Sequence, residues 1–122
     1  MATTFNTQLL QINQLIAEGK FQQAEAQASA LKNQAITQRP ATALLALALA
    51  MQNEAERCRT ELQTLGQPDQ NDKVETLLAA GSAAFRIGSL KPAAVYLTQA
   101  EHQAPTHPLV NARLGACLLA AG

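Results

Sequence analysis

Aromatic residues are scarce in this 122-residue chain, at 3% of the total and with no tryptophan. Proteins that bind single-stranded nucleic acid stack bases on aromatic side chains, so this scarcity argues against that function. Neither sign of charge is in excess, because nine Lys and Arg balance nine Asp and Glu. Without a surplus of cations, we expect neither non-specific binding to nucleic acid nor attachment to an anionic membrane surface.

Long apolar runs and a secretion signal are also lacking. The longest apolar run, residues 41–51, includes Thr42 and is about half the length of a membrane span. The N-terminal residues lack the charged and apolar regions of a secretory signal. The two cysteines, Cys58 and Cys117, are typical of small buried residues in a reducing compartment. We therefore expect a cytoplasmic protein that does not cross a membrane.

Motifs for catalysis or metal binding are absent from the sequence. Pro105 lies between His102 and His107, and no cysteine is close to this pair in the sequence. Neither a glycine-rich phosphate loop, nor an HExxH motif, nor a nucleophile elbow is present. The sequence therefore predicts no catalytic residue, no cofactor and no metal site, and we expect this segment not to be an enzyme.

Alanine and leucine are abundant, and both residues favour helices. Valine and isoleucine are scarce, which leaves little material for β-strands. The apolar spacing and the turn residues predict an all-α chain. The third helix is apolar almost all round and should be a buried, central one. The predicted helices cover residues 6–18, 21–34, 40–52, 54–65, 73–87, 90–103 and 109–121.

Individual residues predict where some of these helices begin and end. Thr4 or Asn6 is expected to cap the first helix, because short polar side chains accept hydrogen bonds from free N–H groups. Gly66 is expected to end the fourth helix. Asp69 or Asp72 is expected to start the fifth, since a carboxylate is favourable at a helix N-terminus.

Four turn residues recur at nearly even spacing along the chain. They are Gly19, Asn53, Gly88 and Gly122, whose successive sequence numbers differ by 34, 35 and 34. A period of about 34 residues is the length of one helix–turn–helix repeat. It predicts a single domain of stacked, antiparallel helix pairs, with repeats at about residues 5–38, 39–73 and 74–107 and a half repeat at 108–122.

The third of these repeats has a characteristic set of small and apolar residues, ended by a proline. They are Leu77, Gly81, Gly88, Ala93, Leu97, Ala100 and Pro105. Gly81 and Ala100 are expected to leave room for neighbouring helices, while Leu77 and Leu97 fill the space between them. With this pattern the third repeat resembles a tetratricopeptide repeat, and residues 108–122 resume the same frame. The resemblance implies a right-handed superhelical solenoid of about seven helices.

The resemblance also implies a binding surface, because in this family the first helix of each pair lines a concave groove. The groove wall would be mostly small and apolar, with two arginines. Such a wall suits an amphipathic helix or an extended apolar segment. We therefore expect a protein–protein interaction scaffold that binds a protein or peptide partner. The candidate groove residues are Asn13, Leu47, Leu78, Ser82, Arg86 and Arg113.

Two other functions fit the same resemblance. The turn residue Gly122 is not followed by a helix, so we expect these residues to be the N-terminal fragment of a longer protein. They would then be the recognition arm of an enzyme, such as a sulfotransferase or glycosyltransferase with tetratricopeptide repeats. The other alternative is a small bacterial type III secretion chaperone. In either case, apolar residues of the seventh helix, including Leu114, Leu118 and Leu119, are expected to favour self-association.

Overall fold

The computed structural model describes residues 2–35 and 37–121, with side chains from residue 7 onward. Within these ranges it contains seven α-helices and no β-strand. The all-α prediction is therefore confirmed. The helices are α1 (Ala2–Ala17), α2 (Phe21–Leu31), α3 (Gln38–Met51), α4 (Ala55–Leu65), α5 (Val74–Arg86), α6 (Leu90–Gln103) and α7 (Pro108–Ala121).

The helix ends agree with the sequence in some places and differ in others. Gly66 directly follows α4 with a φ of 73°, and its N–H donates to the carbonyl of Leu62, as predicted for a C-terminal cap. The prediction for α1 is wrong, because the helix begins at Ala2 and already includes Thr4 and Asn6. The prediction for α5 is also wrong. Lys73 is the residue directly before that helix, and its side chain makes no capping hydrogen bond.

The same backbone turn joins the two helices of each pair. Gly19, Asn53 and Gly88 have φ values of 79°, 63° and 82°. In each turn this residue's N–H donates to the carbonyl three residues earlier, and the next N–H donates to the carbonyl five residues earlier. This is the hydrogen-bond pattern of the Schellman motif, repeated three times. The three turns fall where the sequence period predicts them, while Gly122 lies outside the described residues.

Helix α3 lies at the centre of the fold. Nine of its 14 residues are buried, and it packs against α1, α2, α4 and α5. Its one buried polar side chain, Thr42, donates a 2.6 Å hydrogen bond to the carbonyl of Gln38, so the hydroxyl is not left without a partner. The prediction of a central, buried third helix is confirmed.

Contacts between helices follow the chain order. Each helix packs on the next one, and the odd-numbered helices also pack in series, α1 on α3, α3 on α5 and α5 on α7. The even-numbered helices do not pack on one another within the described ranges. The odd-numbered helices therefore form one continuous layer, on which α2, α4 and α6 pack separately.

A close approach of α5 and α6 depends on a glycine. Gly81 is buried, and a Cβ atom at this position would lie 2.6 Å from Cγ of Leu97. Leu77, Leu97 and Ala100 are all buried at this contact or beside it. The sequence-based expectation that small residues leave space here for leucine side chains is confirmed.

Candidate functional site

A depression of the surface lies where α1, α3 and the start of α5 meet. It has a volume of about 640 Å³, and we call it the α1–α3–α5 concavity. All its lining residues come from these odd-numbered helices and from the loops that precede α3 and α5. Those used below are Leu9, Leu10, Asn13, Arg39, Pro40, Leu44, Asp72, Lys73 and Glu75.

One wall of the concavity is apolar. Leu9 and Pro40 are half-buried, and Leu44 is almost completely buried. Leu10 is 68% exposed beside them. These residues offer an incoming apolar side chain a surface that is already partly dehydrated.

The other wall is held in place by Arg39, the second residue of α3. Its guanidinium donates to both carboxylate oxygens of Asp72, at 2.7 and 2.8 Å. It also donates to the carbonyls of Leu65 and Gln67, at 2.8 and 3.1 Å. This single side chain therefore ties the loop between α4 and α5 to the start of α3. Bidentate geometry of this kind is the strong form of a charge-assisted hydrogen bond.

Asp72 occupies the centre of this hydrogen-bond network. Burial alone would raise the pKa of its carboxyl group, but the hydrogen bond from Arg39, the N–H of Asp69 and the charge of Arg39 together lower it. The backbone carbonyl of Asp72 accepts a further hydrogen bond, 2.6 Å long, from Gln103. Asp72 therefore stays ionised at neutral pH and holds the loop in place, whereas the sequence had predicted a helix start.

The remaining charges on the rim are accessible. Lys73 and Glu75 are exposed, and no ion pair within the described part of the chain involves either residue. The amide of Asn13 is also exposed on the opposite wall. The concavity thus combines an apolar wall with a few polar groups that can orient a ligand.

The candidate groove residues do not all lie in this concavity. Asn13 is the one that lines it. Leu78, Ser82 and Arg86 follow one another at four-residue spacing on α5, where the first two are half-buried and Arg86 is exposed. Leu47 is half-buried on α3, which packs on α5. These four residues therefore lie along the odd-numbered layer beyond the concavity.

The sixth candidate, Arg113, is exposed on α7.

Sequence reasoning missed Arg39 and Asp72 as a pair. The signal that could have found them is their separation of 33 residues, close to one repeat period. Residues one period apart lie on neighbouring repeats and can meet across the interface between them.

Cysteines and metal-ligand residues do not add a reactive centre. Both Cys58 and Cys117 are buried and free. Burial raises the pKa of the Cys58 thiol to about 11, so this group is protonated and unreactive at neutral pH. Within residues 2–35 and 37–121, no three His, Cys, Asp or Glu side chains converge as they would around a metal ion.

No family model, curated protein or solved structure matches the chain. In the part of the chain that the structure describes, none of the helices has both the length and the apolar character needed to cross a membrane.

Proposed function

We propose that the chain is a protein-interaction module that binds an apolar peptide or an amphipathic helix on its odd-numbered helices. The observation that carries the proposal is the α1–α3–α5 concavity, with the exposed Leu10 beside the half-buried Leu9 and Pro40. The half-buried Leu47 and Leu78 extend an apolar surface along the same layer. The partner's apolar side chains pack along this layer, as in helix-in-groove recognition.

The proposal includes a right-handed superhelical solenoid of the tetratricopeptide type. Two observations support it. The same Schellman turn recurs at Gly19, Asn53 and Gly88, and within the described residues each helix contacts only helices that are one or two places away in the chain. Repeat proteins have such nearest-neighbour contacts, and they bind their partners on extended surfaces formed by successive repeats.

The concavity is the anchoring point of the proposed site. A volume of about 640 Å³ is within the usual range of ligand pockets, and it accommodates one or two large side chains of a peptide. An apolar side chain packs against Leu9, Leu10 and Leu44. Asn13 and Lys73 at the rim donate hydrogen bonds to carbonyl groups of the bound backbone.

A binding assay on Leu10 tests this proposal. Peptides are first selected from a random phage-displayed library on the immobilised protein, and their affinity is then measured by fluorescence polarisation. Leu10→Glu puts a charge on the apolar wall, and we expect it to weaken binding about tenfold or more, a loss of about 1.4 kcal/mol. Because Leu10 is exposed, the fold should be retained, which circular dichroism verifies.

Gln27→Glu is the matched control. Gln27 is exposed on α2 and does not line the concavity, so the same change of charge should leave the affinity within about twofold. If the selected peptides bind Leu10→Glu and the unaltered protein equally well, the proposed site is wrong.

A further inference from the structure

Two ion pairs bridge α2 and α4. Arg57 donates to Glu25 over 2.6 Å, and Lys32 lies 3.0 Å from Glu61. Gln52 donates a further hydrogen bond to Glu25 over 3.0 Å. Since α2 and α4 do not pack on one another directly, these side chains make the connection between them.

The ion pair between Lys32 and Glu61 has a counterpart between α4 and α6. Lys32 corresponds to Gly66, because each lies equally many residues after its turn residue, Gly19 for the first and Asn53 for the second. By the same count, Glu61 corresponds to Tyr96, eight residues after its turn. The Tyr96 hydroxyl donates to the carbonyl of Gly66. A neutral hydrogen bond thus replaces the ion pair at the equivalent place.

The ion pair between Glu25 and Arg57 has no such counterpart. Glu25 lies six residues after its turn, and the corresponding residue on α4 is Arg59. Arg57 corresponds to Pro92 on α6, with Lys91 directly beside it. A carboxylate and a guanidinium meet between α2 and α4, whereas the same place between α4 and α6 has two cations and a proline.

A cleft of about 480 Å³ is present at this place. Arg59 and Lys91 are its charged lining residues, and none of the lining residues in the described ranges is acidic. Leu62, Val95 and Tyr96 form apolar walls, and Val95 is 45% exposed. On a protein whose net charge is zero, this cleft is locally cationic and partly apolar.

Neither cation has a strong partner within the protein. Arg59 contacts Glu56, three residues before it on the same helix, but the Glu56 side chain is 89% exposed. An exposed pair of this kind contributes about 0–1 kcal/mol, so another carboxylate can replace it at little cost. Lys91 is exposed, and no ion pair within the described residues involves it.

We propose that the α4–α6 cleft is a second docking site, which binds a partner protein segment with an apolar residue flanked by Asp or Glu. The acidic side chain lies between Arg59 and Lys91 and supplies the carboxylate that Glu25 provides in the preceding pair of helices. The apolar side chain packs against Leu62 and Val95. The cleft shares no lining residue with the α1–α3–α5 concavity, so this site does not depend on the proposed function.

A pair of synthetic probes tests the chemistry. The first is a fluorescein-labelled peptide with a Glu-Leu-Glu centre between Gly-Ser flanks, and the second has Gln-Leu-Gln instead. Binding is measured by fluorescence polarisation in low salt and again with added NaCl. We expect the acidic peptide to bind about tenfold more tightly than the neutral one and to weaken as salt rises. Equal binding of the two peptides would overturn the proposal.

Charge reversal locates the site. Lys91→Glu is expected to weaken the acidic peptide about tenfold and to allow binding of a matched Lys-Leu-Lys peptide. Arg59→Glu, which gives the protein its own carboxylate in the cleft, should weaken the acidic peptide as well. Leu10→Glu in the concavity should leave it unchanged. If Lys91→Glu and Arg59→Glu do not weaken the acidic peptide, the cleft proposal is wrong. If Leu10→Glu does not weaken the phage-selected peptides, the proposed function is wrong. The two proposals can therefore fail separately.

Two other outcomes would also overturn the proposal. If inorganic phosphate displaces the acidic peptide at concentrations similar to those of free glutamate, the cleft is a simple anion site. If sedimentation shows that the unaltered protein dimerises and that Lys91→Glu is a monomer, the occupant is a second copy of the chain. Circular dichroism of both cleft variants confirms that they are folded before binding is compared.

Discussion

Helices α5 and α7 pack on one another in the odd-numbered layer, and each contains a glycine, but the two glycines have opposite surroundings. Gly81 and Gly115 are one repeat period apart in the sequence. A Cβ atom on Gly81 would lie 2.6 Å from Leu97, whereas a Cβ atom on Gly115 would have no atom within 4 Å. The repeat frame predicts where a residue lies, and its neighbours determine what a substitution there costs.

The two helices also differ in burial, since α5 is more deeply buried than α7. Seven of the 13 residues of α5 are buried, compared with three of the 14 residues of α7. Three large apolar side chains of α7, Leu109, Leu118 and Leu119, are 52%, 57% and 85% exposed. Equivalent helices therefore contribute very differently to stability, and the following substitutions test that difference.

The largest effect is expected at Leu97, which fills the space beside Gly81. Leu97→Ala leaves a cavity in a fully buried site and should lower the free energy of unfolding by about 2–5 kcal/mol. The matched variant on α7, Leu118→Ala, removes an exposed side chain and should change it by less than about 0.5 kcal/mol. Urea unfolding followed by circular dichroism measures both. Leu97 lies on α6 and packs against α5, so equal losses would show that the surroundings of α5 and α7 do not differ.

The loops that precede the two helices are expected to differ as well. Asp72→Asn leaves Arg39 without its carboxylate partner before α5, and hydrogen bonds to charged groups contribute about 1.5–3 kcal/mol. Before α7, Asn111 donates a 2.9 Å hydrogen bond to the carbonyl of Pro105 in an exposed place. Asn111→Ala should therefore cost less than about 1 kcal/mol. A loss at Asn111 that matches the loss at Asp72 would contradict this difference.

The contribution of Asp72 should also depend on pH. The pKa of this carboxyl is lower in the folded protein than its ordinary value of 3.8, so protonation favours the unfolded chain. Its contribution is complete above about pH 5 and is lost as the pH falls through 3.8 to the folded pKa. The stability difference between the unaltered protein and Asp72→Asn should shrink between pH 5 and pH 2.5. A difference independent of pH would disprove the role of the ion pair.

Asp72 also shows how far the sequence alone can predict this protein. Its place in a turn-rich loop could be predicted from neighbouring Gly, Pro and Asn residues, and so could the bounds of α6 and the central position of α3. Its partner could not, because Arg39 is 33 residues away and their contact exists only once α3 and the loop between α4 and α5 have packed together. The start of α1 was also missed, because the helix begins at Ala2 and not at the predicted cap.

The candidate groove residues illustrate the same limit. The helices predicted from the sequence could place Asn13, Leu47, Leu78 and Ser82 on α1, α3 and α5, because this needs only the helical period. The α1–α3–α5 concavity could not be predicted in this way. Its walls come from three helices and two loops, and its shape depends on how Arg39 holds the second loop. Depth and volume are properties of packing, and residue spacing does not determine them.

The two glycines give the sharpest direct comparison. Gly81→Ala forces a methyl group against Leu97, and overpacking should outweigh the gain in helix propensity, with a net loss of about 1–2 kcal/mol. Gly115→Ala meets no neighbour and should stabilise the protein by about 0.5–1 kcal/mol. Thermal and urea unfolding measure both changes. The comparison fails if the two substitutions change stability in the same direction.

Substitutions on the exposed side of α7 are expected to have the smallest effect on folding stability. They should nevertheless change self-association measurably. Leu118→Lys and Leu119→Lys together should leave stability nearly unchanged, because both side chains are exposed. We expect the unaltered protein to self-associate at high concentration through this apolar surface, and the double variant to be monomeric. Light scattering over a range of concentrations distinguishes the two. A clean monomer for the unaltered protein would contradict the prediction.

The most direct test of the proposed function is an NMR titration of the ¹⁵N-labelled protein with a peptide selected by phage display. The proposal predicts that amide shifts change at Leu9, Leu10, Asn13 and Leu44 around the concavity, and then along the odd-numbered layer at Leu47 and Leu78. Amides of α2 on the opposite side of that layer should stay unchanged. Shift changes that map to α2 or α7 and spare the concavity would contradict it.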